Sequence, residues 1–343
     1  MQRLTALLLV TATLATAVSA QRGGRGRGGA ARAPELDHFT FDQGVFETDL
    51  QQGGEARYFV LLPKGHDDEA NKDKTYPWIL WLPGFGGPMD FLHRGGADLL
   101  DHLRGKDEIP ELALVVFASR RSVYMNGERA GRTEDLLTGA LLEHLQQKYR
   151  LSDKREQRAI MGMSAGGFGA LKIALRHPDL FAAVGAHSAA ILPADPKDLA
   201  GFMEDRVQRM LGSGIDEELG NPIDPKKWAA HMPMAIAAAK KPAELQGLQI
   251  YLGAGTEDHY DFFEPNRQLA AALTANGHEF VFQAVENGGH AWSSPEIVES
   301  VAVSLRFAGE ALAGKDAVKA TKARLAEAAG QKKDGDEKGG EDK

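Results

Sequence analysis

The chain has 343 residues, 43% of them hydrophobic, a formal net charge of −8 and no cysteine. That length holds one large domain or two small ones with a substantial core. The acidic balance argues against general nucleic-acid binding, and the absence of cysteine excludes disulfides, thiolate metal sites and a lipid anchor on an amino-terminal cysteine.

Arg3, the apolar stretch over residues 4–18 and the small residues Val18-Ser19-Ala20 read as a secretory signal cleaved after Ala20. This predicts a periplasmic or secreted protein with no stable membrane insertion after cleavage. Residues 21–35, rich in Arg and Gly, read as a flexible basic linker. Such repeats elsewhere suggest RNA binding, but behind an export signal a solvated spacer is the better reading.

From 36 to 312, short apolar runs alternate with amphipathic segments, the pattern of a mostly parallel α/β sheet in one domain. Strands are expected at 39–46 and 57–62, an antiparallel pair turning at Gly53-Gly54. Six more fall at 78–82, 112–118, 158–161, 182–187, 249–253 and 279–285. Helices fit 91–103, 133–148, 165–176, 264–276 and 295–312; Leu137, Leu141, Leu145 and Tyr149 form the clearest apolar stripe. Residues 195–248 break this rhythm and read as a cap-like insertion, either covering a site or simply packing. The charged tail, 313–343, is expected to be helical in its first half and disordered from Gln331.

The organising stretch is 158–176, RAIMGMSAGGFGALKIALR. An apolar strand runs into Gly162-Met163-Ser164-Ala165-Gly166 and then into a helix that His177-Pro178 ends. Strand, G-x-S-x-G, helix is the setting in which this motif makes a nucleophile elbow. A serine hydroxyl needs a base, and the base needs an anion to orient it. His290, in Asn287-Gly288-Gly289-His290-Ala291-Trp292 just after a strand, is the candidate base; His187, His259 and His278 compete. Asp258, past the strand end at Gly253, is the candidate acid, with Glu257 and Asp261 behind it. Two N–H donors are needed for a developing oxyanion. Ala165 follows the serine, and the loop Pro83-Gly84-Phe85-Gly86-Gly87 offers Phe85 or Gly86.

These segments resemble the putative esterase family of α/β-hydrolases, which includes feruloyl esterases, S-formylglutathione hydrolase, enterochelin esterases and the antigen 85 mycolyltransferases. The matching pieces are RYFVLLP, YPWILWLPGFGG, the helix ending QKYR, RAIMGMSAGGFGALKIALRHPDLFAAVGAHSAA, IYLGAGTEDHY and NGGHAW. The resemblance implies an α/β-hydrolase fold, an eight-stranded sheet with helices on both faces, and a serine esterase. It implies Ser164, Asp258 and His290 as the catalytic set and Phe85 as an oxyanion donor. Pro83 departs from the histidine or aspartate that relatives often carry.

The expected substrate is a small-molecule or carbohydrate ester, of acyl or feruloyl type. An acyltransferase to a sugar acceptor and a non-catalytic glycan-binding module on the same scaffold are the alternatives. Gly86, Arg120, Tyr124, His187 and Trp292 are candidate substrate contacts; Arg120 also reads as a surface salt-bridge partner and His187 as a core histidine. Neither a metal site nor a cofactor is implied: no histidine pair stands at ligand spacing with a carboxylate, and 84–87 lacks the dinucleotide-loop spacing. Oligomeric state is not legible.

Overall fold

The computed structural model describes residues 33–117, 123–128, 131–211 and 215–339. The signal segment, most of the linker, the end of the expected strand at 118, Arg120 and the last four residues lie outside the described residues.

In chain order the elements are β1 (Phe39–Glu47), β2 (Glu55–Pro63), β3 (Trp78–Leu82), α1 (Met89–His93), α2 (Gly96–Gly105), β4 (Ala113–Phe117) and a two-residue ribbon of β5 (Asn126–Gly127) and β6 (Gly131–Arg132). There follow α3 (Thr133–Thr138), α4 (Ala140–Tyr149), β7 (Arg158–Met163), α5 (Ala165–Arg176) and β8 (Ala183–His187). The insertion holds α6 (Gly201–Met210), α7 (Asp216–Leu219), α8 (Pro225–His231) and α9 (Pro233–Ala239). The chain closes with β9 (Gln249–Gly255), α10 (Phe263–Ala275), β10 (Val281–Val285), α11 (Pro295–Leu312) and α12 (Ala317–Gly339).

Eight strands form one sheet in the order β1-β2-β4-β3-β7-β8-β9-β10. β2 runs antiparallel to both β1 and β4, and the remaining neighbours are parallel. This is the α/β-hydrolase fold. Strand alternation sorts the core onto the two faces. On β3, Leu80 and Leu82 pack with Leu141 of α4, Leu171 of α5 and Leu269 of α10, while Ile79 and Trp81 pack with Phe91 of α1 and Leu305 of α11. A third apolar cluster lies under the insertion, where Val207, Leu219, Trp228 and Met232 meet Phe168 of the elbow helix.

Two expected helices are each broken in two. Gly95, at φ 103°, takes a left-handed turn that separates α1 from α2, and Gly139, at φ −140° and ψ −100°, interrupts α3 and α4. Apolar spacing stays nearly in phase across both breaks, so periodicity alone cannot see them. Helix α12 runs from Ala317 through Gly339. Ala317, Val318 and Thr321 are buried against the body, and Arg324 makes a two-pronged pair with Glu310 at 2.7 and 2.8 Å. Once a first turn is anchored this way, each further residue adds one hydrogen bond at little cost.

Candidate active site

The parallel strands deliver their carboxyl ends to one rim, where open α/β sheets bind ligands. β7 runs straight into Ser164, whose backbone stands at φ 58° and ψ −121°. A non-glycine residue held there is strained, and such strain collects at functional sites. Small neighbours make the turn possible: a Cβ on Gly166 would fall 1.8 Å from the carbonyl oxygen of Leu82, and one on Gly162 would fall 2.3 Å from that of Gly166. The strained backbone is tied down on both sides. Ser164 N–H donates to the His187 carbonyl at 2.8 Å, and Ala190 N–H donates to the Ser164 carbonyl at 3.1 Å.

The structure brings Ser164, His290 and Asp258 together from positions far apart in the chain. His290 Nδ1 lies 2.8 Å from Asp258 Oδ2, and Nε2 lies 3.1 Å from Ser164 Oγ. With ionised Asp258 accepting, the proton sits on Nδ1, and the Ser164 hydroxyl donates to Nε2. Asp258 is buried, and its second oxygen accepts the Tyr260 N–H at 2.9 Å. Glu257 is exposed, while Asp261 is held by its N–H to the Asp258 carbonyl at 2.9 Å; neither carboxylate takes the place beside the imidazole. The acid loop and the histidine loop are stitched together by Glu257 N–H to the Gly288 carbonyl at 2.8 Å and Asn287 N–H to Thr256 Oγ1 at 3.0 Å. The imidazole is ringed by aromatic groups in edge-on contact, with Tyr260 centred 4.7 Å, Phe262 5.5 Å and His259 5.6 Å away.

Ala165 opens α5, so its N–H belongs to the first helical turn, where donors have no intrahelical acceptor. The loop after β3 passes directly over the serine: a Cβ on Gly84 would stand 3.1 Å from Ser164 Cβ. A turn closes it through Gly87 N–H to the Gly84 carbonyl at 3.1 Å, and Phe85 and Gly86 border the cleft.

That cleft is a cavity of about 380 Å³ over Ser164 and His290. Trp292 lines it, buttressed by Trp81 and Phe91 with ring centres 5.8 Å away. Sequence reasoning missed Asp90, Arg94, Met203 and Tyr260, which also border it. Tyr260 was within reach, standing two residues past Asp258. Asp90 and Arg94 sit on and just after α1, where no motif pointed. Burial pushes the Asp90 carboxyl up, partly opposed by the Arg94 charge. The insertion supplies one wall through Met203, while its Trp228 is buried and donates to the Pro193 carbonyl at 2.9 Å.

Two expected contacts are corrected. Tyr124 is buried, and its hydroxyl donates to the Pro83 carbonyl at 2.5 Å, so it braces the loop over the serine rather than facing the cleft. His187 is wholly buried under the rim with Nε2 2.7 Å from Ser304 Oγ, and burial lowers its pKa to about 3. Its side chain is a core group, and only its carbonyl touches the elbow. Of the other histidines, His278 binds the Lys240 carbonyl at 2.7 Å, away from the rim.

One cluster was not anticipated at all. Glu134, Glu218 and His231 bring ligating atoms within 4.8 Å of one another. The space is already crossed by cations: Lys172 Nζ donates to Glu134 Oε2 at 2.6 Å, and Arg176 Nε stands 2.8 Å from Oε1. Burial raises the Glu134 pKa, but the His177 hydrogen bond and the charges of Lys172 and Arg176 outweigh it and hold the carboxyl well below the usual range. The chemistry of this set is that of an internal ion-pair network joining α3, α5, α7 and α8.

The family model described as "Putative esterase" matches residues 51–295, well over half of the chain. The chain belongs to this esterase family. An esterase of Mycobacterium tuberculosis is 30% identical over 203 residues, covering 57% of this chain and 42% of its own length. This esterase-family chain thus spans under half the length of that relative. An acetyl esterase of Caldicellulosiruptor saccharolyticus is 25% identical over 213 residues, covering 59% of this chain and 76% of that protein. Among solved structures, a ferulic acid esterase superposes with a TM-score of 0.63 at 22% identity, covering 81% of this chain and all of that one, a likeness of fold.

Proposed function

We propose that this protein is an exported serine esterase that cleaves small-molecule or carbohydrate carboxylic esters through an acyl-enzyme. The observation that carries this reading is the continuous hydrogen-bonded chain from Ser164 Oγ through His290 to Asp258 at the floor of the cleft. Ser164 Oγ attacks the ester carbonyl carbon as His290 Nε2 takes its proton. The new oxyanion is held by the N–H groups of Ala165 and Phe85. Collapse breaks the carbon–oxygen bond to the alcohol, whose oxygen leaves with the proton from His290. Water then enters, gives a proton to His290 and adds to the acyl carbon; collapse breaks the bond to Ser164 Oγ, which takes that proton back from His290 as the free acid leaves. Asp258 keeps the imidazole in the productive tautomer and stabilises its transient positive charge.

Support for a sugar-sized alcohol comes from the cleft itself, whose aromatic Tyr260 and Trp292 stand beside the polar Asp90 and Arg94. Export rests on the amino-terminal sequence. Among the described residues no helix is long and apolar enough to cross a membrane. Turnover of p-nitrophenyl acetate tests the reaction: Ser164→Ala should abolish it, and retained activity would place the nucleophile elsewhere. Expression of the full chain in a two-membrane bacterium tests export, with the mature protein expected in the periplasm beginning at Gln21.

A further inference from the structure

Beside the main cleft lies a second, smaller chamber of about 30 Å³. Phe85, Ala190 and Met203 border both spaces, so the two adjoin. Every side chain lining the chamber is apolar, and Ala165 stands at its edge. Its far wall comes from the insertion, through Val207, Ile215 and Leu219, closing against Met125 and Phe168.

Reaction geometry assigns the two spaces. The leaving oxygen must come within reach of His290 Nε2, so the alcohol occupies the cavity that His290 lines. The carbonyl oxygen points at Ala165 and Phe85. The acyl chain then extends away from His290, toward the space that Ala165 and Phe85 border and His290 does not. We propose, building on the esterase reading, that this chamber is the acyl pocket and that the insertion limits the protein to short aliphatic acyl groups. A volume of 30 Å³ is about twice what one water-sized group requires, enough for the tail of an acyl group of about two to four carbons. An aromatic acyl group or a medium-length chain does not fit without displacing Leu219 or Val207. The insertion supplies Val207, Ile215 and Leu219 to this wall, facing Ala165 and Phe168 of the elbow helix.

The test is the chain-length profile of the full-length protein on p-nitrophenyl acetate, butyrate and octanoate, with methyl ferulate alongside. Octanoate and ferulate should show kcat/KM at least about tenfold below the better of acetate and butyrate, the scale on which apolar pockets discriminate by size. Leu219→Ala should raise the octanoate-to-acetate ratio by about tenfold; Ile215→Ala, which opens the same wall, should raise it in the same direction and serves if Leu219→Ala does not fold. A flat or rising profile in the unaltered protein would overturn the acyl-pocket assignment while leaving the esterase reading intact. So would a profile unchanged in a folded wall variant. Absence of turnover on every ester would remove the esterase reading and this inference with it.

Discussion

The N–H of Ser164 donates to the carbonyl oxygen of His187 at 2.8 Å, so the candidate nucleophile hangs by its backbone from the last residue of the neighbouring strand. The side chain of that same His187 is sealed beneath the rim and donates to Ser304 Oγ, whose own proton goes to the Val301 carbonyl at 2.9 Å. The proton of the neutral ring therefore sits on Nε2, and Nδ1 is buried without a hydrogen-bond partner. Charging the ring would bury a second N–H with no acceptor, which is the physical content of its lowered pKa.

Acid sensitivity follows. His187 has a folded-state pKa of about 3 against an ordinary 6.5, so the unfolded chain binds the extra proton across that interval and folding stability falls as pH drops through it. The slope from this one group is about 1.4 kcal/mol per pH unit. Urea unfolding between about pH 6 and pH 4 should show it, and His187→Leu should flatten the dependence by about one proton even though it lowers stability overall.

Glu134 gives a second, separable effect. Its carboxyl is held below the ordinary range, so its pairing stabilises the fold above the unfolded carboxylate pKa and is lost as pH falls toward the folded one. Glu134→Gln at neutral pH removes the carboxylate hydrogen-bonded to buried Lys172, leaving only the more distant charge of Glu218, and should cost about 3–5 kcal/mol. Thermal or urea melts check this. Because Lys172 and Arg176 lie on the elbow helix, turnover should fall with stability rather than ahead of it.

Asp258→Asn isolates the role of the buried acid. The amide can present its N–H to His290 Nδ1, which favours the proton on Nε2, where it cannot accept from Ser164. The expected loss is about 10³–10⁴-fold in kcat with little change in melting temperature or KM. Steady-state kinetics with p-nitrophenyl acetate reads it.

Gly166→Ala probes the close approach at the elbow. The added Cβ would fall 1.8 Å from the Leu82 carbonyl oxygen, a backbone atom that cannot step aside without moving β3. A destabilisation of about 3 kcal/mol or more, or failure to yield soluble protein, is expected. The thermal melt of any soluble product is the check.

Much of this was legible in the residues. Fully apolar runs such as Trp78–Leu82 announce central strands, and the elbow motif carries its own strand and helix on either side. The loops bearing Asp258 and His290 follow strands at the same rim, which a parallel sheet brings together automatically. Other features leave no local trace. Tyr124 lies past β4 and His187 is the last residue of β8 at that rim, yet both side chains are buried, on the Pro83 carbonyl and on Ser304 Oγ. The ion-pair network joins Glu134 to Glu218 and His231 across most of a hundred residues, a juxtaposition created only by docking the insertion onto α5. The pocket wall at Met203 arises the same way.

The most direct test of the central claim is mass spectrometry of the protein quenched early in its reaction with p-nitrophenyl acetate. An acetyl adduct on the peptide containing Ser164, absent from Ser164→Ala and accumulating in His290→Ala only slowly, is the predicted result. An adduct on another residue, or full turnover by Ser164→Ala, would contradict it.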